Sequence, residues 1–153
     1  MGPFRDQLDW HPTNKFLLMS LVNFTKPDFA SSIYEMNTAD STLQLVLKAA
    51  NGTVYYYAHY SPDGSKILFS SVADPYDDRF ICTVNRDGSD FKKIIKAEFD
   101  SYSVWSPSGD KIAYTLQKGI YIMNADGTDN TLFLKDDPRS PIRWVGDRLL
   151  WLP

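Results

Sequence analysis

The sequence predicts an all-β fold of repeated four-stranded blades, a β-propeller arc, and three observations predict it. A tight-turn segment is written twice, as Tyr60-Ser61-Pro62-Asp63-Gly64-Ser65-Lys66-Ile67 and as Trp105-Ser106-Pro107-Ser108-Gly109-Asp110-Lys111-Ile112. A second mark follows each, an Ile-to-Asn run continuing as Asn85-Arg86-Asp87-Gly88-Ser89-Asp90 and as Asn124-Ala125-Asp126-Gly127-Thr128-Asp129. Asp-Gly between apolar runs is a strong hairpin signal. No stretch spaces apolar residues at i, i+3, i+4 and i+7 over three turns, so almost no helix is expected. Short, evenly spaced strands indicate an all-β chain, and four strands in about 40 to 50 residues indicate a propeller rather than a sandwich.

The elements follow in order. Strand A of each unit ends at an aromatic residue, Trp10, Tyr60, Trp105 and Trp144, with intervals of 50, 45 and 39 residues. In the turn that follows, proline pre-sets φ, Asp63 or Ser108 bonds its own backbone, and glycine accepts positive φ. Strand B is expected at 16–20, 66–71 and 111–116. The link to strand C is long in the first unit (21–32), intermediate in the second (72–79), and a tight Gln117-Lys118-Gly119 turn in the third. Strand C is expected at 33–37, 81–85 and 120–124, and strand D at 43–47, 91–95 and 131–134. The first C–D turn, Asn37-Thr38-Ala39-Asp40, lacks the glycine and is degenerate. The run Tyr55-Tyr56-Tyr57 leads into strand A of the second unit, where alternation places the middle ring opposite its neighbours. The chain reads as one partial propeller over 1–153, with repeats at approximately 4–47, 54–95 and 100–134 and a half repeat at 140–153.

Composition narrows the function classes. At 153 residues, with 43% apolar and 14% aromatic content, the chain suits one packed domain and not a disordered one. A net charge of -3 argues against a nucleic-acid footprint. The single cysteine, Cys82, excludes an internal disulfide and a cysteine-based zinc site, and its neighbours Phe80, Ile81 and Val84 mark it as a core thiol. No apolar run of about 18 residues is present, so no membrane span is expected. The segment Met1 to Asp6 lacks an apolar signal core, which fits either a cytoplasmic chain or one whose signal was removed.

Catalytic chemistry finds few candidates. His11 and His59 are the two histidines, no Gly-x-Ser-x-Gly elbow accompanies them, and both read as strand histidines rather than general bases. The His-Glu-x-x-His, P-loop and Gly-x-Gly-x-x-Gly patterns are absent. The Asp-Gly-Ser-Asp and Asp-Gly-Thr-Asp stretches lack the spacing of a calcium loop and are explained by hairpin chemistry. Neither cofactor nor metal is expected. Asn23-Phe24-Thr25 and Asn51-Gly52-Thr53 match the glycosylation acceptor pattern, which is common by chance.

The pattern aromatic-Ser-Pro-Asp-Gly-x-Lys-Ile, followed by Ile-Tyr-x-Met-Asn-x-Asp-Gly-[Ser/Thr], resembles the repeat of TolB-type propellers, the PD40 or WD40-like repeat. Residues 60–94 and 105–133 match closely, while 10–46 match with decay, His11-Pro12-Thr13-Asn14 replacing Ser-Pro-Asp-Gly. Trp144-Val145-Gly146-Asp147-Arg148-Leu149-Leu150-Trp151 resembles a fourth start. The resemblance implies a non-catalytic binding or scaffold module for a protein or peptide partner, in periplasmic or extracytoplasmic use. Similar blades also accompany prolyl-oligopeptidase-type peptidases and polysaccharide lyases, which supplies the alternative. Such rings close with about six to eight blades, so three and a half repeats leave a face such as that of Trp10, Leu17 and Met19 open. Closure then comes from the remainder of a longer propeller, from a homodimer whose two arcs make a ring, or from a capping partner.

Blade topology sorts residues by disc face. The B–C and D–A links share one face, and the A–B and C–D turns, already occupied structurally, share the other. Binding to a protein or peptide partner is therefore expected at Phe24, Lys26, Asp28, Phe29, Asp74, Tyr76, Asp77 and Asp78. Within that set, 74–78 is the better site for a cation or a basic partner. The channel end of strand A carries Asp6, Tyr56, Ser101 and Ser140, a mixed polar ring.

Overall fold

Three antiparallel four-stranded sheets follow one another along the chain in a computed structural model that describes residues 8–23, 30–50, 52–73, 79–97, 101–116 and 119–135. The first is β1 (Asp9–Trp10), β2 (Phe16–Asn23), β3 (Ala30–Asn37) and β4 (Leu43–Leu47). The second is β5 (Thr53–Tyr60), β6 (Lys66–Ala73), β7 (Arg79–Asn85) and β8 (Lys92–Ala97). The third is β9 (Ser103–Trp105), β10 (Lys111–Leu116), β11 (Gly119–Asn124) and β12 (Thr131–Lys135). Each sheet keeps sequence order, as consecutive hairpins dictate. No helix occurs among the described residues. The architecture is a β-propeller arc, as the sequence predicts.

The repeated motifs are structural fasteners. Ser61 Oγ accepts from Lys66 N at 2.9 Å and donates to Asp63 Oδ1 at 2.6 Å, closing the A–B turn. In the third blade Ser106 Oγ accepts from Lys111 N at 3.0 Å and donates to Asp110 Oδ1 at 2.9 Å. The acid has moved two positions and the bond pattern survives. The Lys and Asn of the motif are cross-strand partners: Lys66 pairs with Asn85 and Lys111 with Asn124, with Nζ to Oδ1 distances of 2.8 and 3.1 Å.

Two expectations need correction. The first B–C link is shorter than 21–32, because β2 runs to Asn23 and β3 starts at Ala30, with Val22 paired to Ser31. The first C–D turn is not merely degenerate. It is one residue longer, closed by Asn37 N to Thr42 O where the later blades close Asn85 N to Ser89 O, and Ser41 supplies the left-handed residue at φ 59.

The core lies between blades, not within them. Directly opposed residues of neighbouring strands share a face, so each blade has a front toward the preceding blade and a rear toward the next. Leu18 and Ile33 on the rear of the first blade pack with Tyr55, Tyr60, Ile67, Phe69, Cys82 and Val84 on the front of the second. Leu68 and Ile81 on the rear of the second pack with Trp105, Ile112, Tyr114 and Met123 of the third. Cys82 is a buried thiol, as expected, and burial pushes its pKa up to about 12.

Polar groups staple the first seam. Glu35, 5% exposed, receives Arg86 Nε at 2.7 Å and Nη2 at 2.8 Å, and Tyr60 Oη as well. The Arg86 guanidinium also lies 4.2 Å over the ring of Phe16. Ser31 Oγ donates to Tyr55 O and accepts from Tyr55 N, each at 2.6 Å, and Asp9 Oδ2 accepts from Tyr60 N at 2.8 Å. Burial works against the Glu35 carboxylate, but the Arg86 and Tyr60 bonds outweigh it and hold its pKa below the ordinary range.

Candidate functional site

The second seam carries a different set of groups, and they gather on the disc face of the links. β5 breaks its pairing with β6 between Tyr56 and His59, and within that bulge Tyr57 has φ 55. A bulky residue in the left-handed region is costly and is held only where its surroundings over-determine it. The bulge turns Tyr57 off the strand alternation. Tyr55 packs on Phe69 toward the first blade, whereas Tyr57 lies 4.9 Å from Tyr56 and 4.9 Å from Tyr102 of the third blade, ring centroid to centroid. Strict alternation places Tyr57 beside Tyr55, and the bulge corrects that expectation.

Arg79 completes the cluster. It opens β7, pairs with Val72 and Ala97, and donates from Nη1 to Tyr56 Oη at 3.1 Å. Tyr57 Oη and Tyr102 Oη are 3.4 Å apart. Tyr102 is held in place from both sides of its peptide, its N donating to Thr115 Oγ1 and its O accepting from Thr115 N, each at 2.9 Å. In this seam Ser70 Oγ, Ser103 Oγ and Trp105 Nε1 are buried with no hydrogen-bond partner, as is Ser20 Oγ in the first seam. Register places Ser70 opposite Tyr56 and Ser103 next to Tyr102, while Trp105 ends β9 beside the Ser106 turn. Buried polar atoms of this kind ordinarily meet ordered water or a bound polar group.

The expected site residues fall as follows. Tyr56 is half-buried in the cluster, and Ser101 is buried beside Tyr102. Phe24, Lys26, Asp28, Phe29, Asp74, Tyr76, Asp77 and Asp78, with Asp6 and Ser140 of the channel set, lie outside the described residues. In the sequence, residues 74–78 lie between Ala73 and Arg79. Sequence reasoning missed Tyr57, Arg79 and Tyr102 as a unit. The run of three tyrosines was visible, but the bulge that regroups them was not.

The two histidines have structural neighbours. His11 is buried, packs edge-on against Tyr60 at 4.9 Å and Phe16 at 5.7 Å, and has Nδ1 2.9 Å from Thr13 Oγ1. Burial, then the Arg86 charge, lowers its pKa. His59 Nδ1 is 4.0 Å from the Asp9 carboxylate that caps Tyr60 N. Among the described residues no three His, Cys, Asp or Glu side chains converge as a metal site would require.

Three successive four-stranded blades stacked front to rear define a β-propeller arc. Solved TolB structures share this blade architecture. The arc superposes on a putative TolB from Agrobacterium tumefaciens with a TM-score of 0.66 at 21% identity, covering 86% of this chain and 50% of that one. It matches TolB from Acinetobacter baumannii with a TM-score of 0.65 at 15% identity, over 80% of this chain and 30% of that one. Prolyl oligopeptidase B from Galerina marginata matches with a TM-score of 0.62 at 11% identity, over 86% and 21%. The chain thus spans half or less of the structures it resembles, and at these identities the likeness is one of fold. No protein-family model matches the chain. No curated protein matches it either.

Proposed function

We propose that this arc is a non-catalytic binding module for a protein or peptide partner, with its site on the link face around Tyr56, Tyr57, Arg79 and Tyr102. The observation that carries the reading is Tyr57, a bulky residue in a left-handed conformation at the centre of an aromatic cluster. Strain of this kind concentrates at ligand clamps. Tyrosines offer broad contact area at low entropic cost, with a hydroxyl at the rim. Arg79 supplies a cationic edge to the cluster. A peptide supplies both apolar side chains and carbonyl acceptors. Asp74, Tyr76, Asp77 and Asp78, which adjoin Arg79 in the sequence, add carboxylates suited to basic side chains.

Panning a displayed random-peptide library on the 153-residue chain tests the reading. Selected peptides are expected to lose about tenfold or more in affinity on Tyr102→Ala, an amount usual for an aromatic anchor. Peptides that bind Tyr102→Ala and Arg79→Met as tightly as the parent chain would place the site elsewhere. Turnover of a peptide or an acidic polysaccharide by the chain would replace the binding reading with an enzymatic one.

A further inference from the structure

The three A–B turns are built alike, and in the first blade the residue at the fastening position titrates. Ser61 and Ser106 fasten the later turns with a hydroxyl that accepts from Lys66 N and Lys111 N. His11 stands at that position in the first blade, and its backbone keeps the pattern. His11 N donates to Phe16 O and Asn14 N to His11 O, as Ser61 N does to Lys66 O and Gly64 N to Ser61 O. Its side chain closes the turn differently. Thr13 N donates to His11 Nδ1 at 3.2 Å, and Thr13 Oγ1 lies 2.9 Å from the same atom. A ring nitrogen that accepts from a backbone N–H carries no proton, so this turn is fastened by neutral imidazole.

The same ring is wedged into the first seam. It is 6% exposed, and its Nε2 lies so close to Gly64 of the second blade that a Cβ there would come within 2.2 Å. Titratable groups surround it. Glu35 faces it from β3, Tyr60 from β5 and Arg86 from the turn after β7. Asp63, in the Gly64 turn, is taken up by Ser61 and Ser65, and Asp9 of β1 faces His59 at 4.0 Å.

We propose that His11 is a proton-sensitive latch between the first and second blades, closed while the ring is neutral and loosened when mild acid protonates it. A proton on Nδ1 makes both ring nitrogens donors, so Thr13 N–H loses its acceptor. A second positive charge then joins Arg86 in the seam, where the Glu35 carboxylate is already shared between Arg86 and Tyr60. Burial, then the Arg86 charge, holds the folded pKa below the ordinary value, so the unfolded chain takes the proton first. The latch therefore contributes fully above the unfolded value and weakens as pH falls through the window beneath it. A proton on His59 acts in the opposite sense, adding attraction to Asp9.

Native-state hydrogen exchange at about pH 7.5 and about pH 5.5, on either side of an ordinary imidazole, tests this once intrinsic rates are divided out. Tyr55 N and Tyr60 N bond across the first seam to Ser31 Oγ and Asp9 Oδ2, whereas Tyr102 N bonds to Thr115 Oγ1 within the third blade. In acid, Tyr55 and Tyr60 are expected to lose protection about tenfold relative to Tyr102, the effect of one buried hydrogen bond. His11→Ser, which installs the residue of the later turns, is expected to abolish the difference between the two pH values, and His59→Asn to keep it. Protection that falls alike in all three blades or not at all, or a folded His11→Ser that retains the difference, would overturn the latch. The ring protons of His11 give a reading that needs no variant: their titration midpoint is expected to be lower in the native chain than in urea. A native midpoint at or above the urea value would equally overturn the proposal.

Discussion

Replacing Glu35 by alanine removes the most connected side chain of the first seam. Three hydrogen bonds end on its carboxylate, two from Arg86 and one from Tyr60. Breaking a buried pair by deleting one partner costs about 3–5 kcal/mol when the other charge stays buried. The Arg86 side chain is 31% exposed and can turn partly to water, so the cost falls to about 2–3 kcal/mol. For a chain of this size, that corresponds to a fall of roughly 5–10 °C in midpoint temperature. In guanidinium, with a slope of about 4 kcal/mol/M, the midpoint shifts by roughly 0.6 M. The assay is equilibrium unfolding of Glu35→Ala, Arg86→Met and the double variant. The cycle isolates a coupling of about 1.5–3 kcal/mol. The double variant is expected to be more stable than Glu35→Ala alone, since it leaves no unpaired guanidinium. A Glu35→Ala chain within about 0.5 kcal/mol of the parent would refute the idea that this seam is stapled by charge.

Other consequences are as specific. Asp63, with its pKa lowered to about 2 chiefly by the Ser61 hydroxyl and then by Ser65, stabilises the fold fully above its unfolded value and loses that contribution as pH falls toward 2; Asp63→Asn should flatten acid unfolding in that window, measured by fluorescence. Gly64→Ala places a Cβ 2.2 Å from His11 Nε2 at φ +74, so about 1–3 kcal/mol should be lost in a urea titration, and the positive φ alone keeps the loss near about 1 kcal/mol where His11 steps aside. Tyr57→Gly relieves the left-handed strain while deleting a ring, so it should cost less stability than Tyr102→Ala, and the reverse order in thermal melts would contradict the strain. The Cys82 thiol should resist a disulfide reagent in the native chain and react promptly in denaturant.

How legible was all this? The turns were, because their chemistry is local. Ser61, Asp63 and Gly64 do within six residues what a tight turn requires, and the Lys66–Asn85 pair explains why those two residues recur together. The strand ends were less so: Val22 pairs with Ser31, which is also anchored to Tyr55 of the next blade, a contact 24 residues away in sequence. The Glu35–Arg86 staple joins residues 51 apart, and Thr83 and Ile122 stand at the Glu35 position in the later blades, so no repeat marked it. The tyrosine cluster depends on a bulge that no glycine or asparagine announces. A tyrosine is a poor left-handed residue, so the site was hidden by the same strain that singles it out.

We propose that partners bind the link face at the tyrosine seam. Backbone amide chemical shifts of the labelled chain, followed as a library-selected peptide is added, test it most directly. The account predicts shifts concentrated at Tyr56, Tyr57, Arg79 and Tyr102 and in the links that flank them. Shifts confined to the opposite face, at the Ser61–Gly64 and Ser106–Gly109 turns, would contradict it.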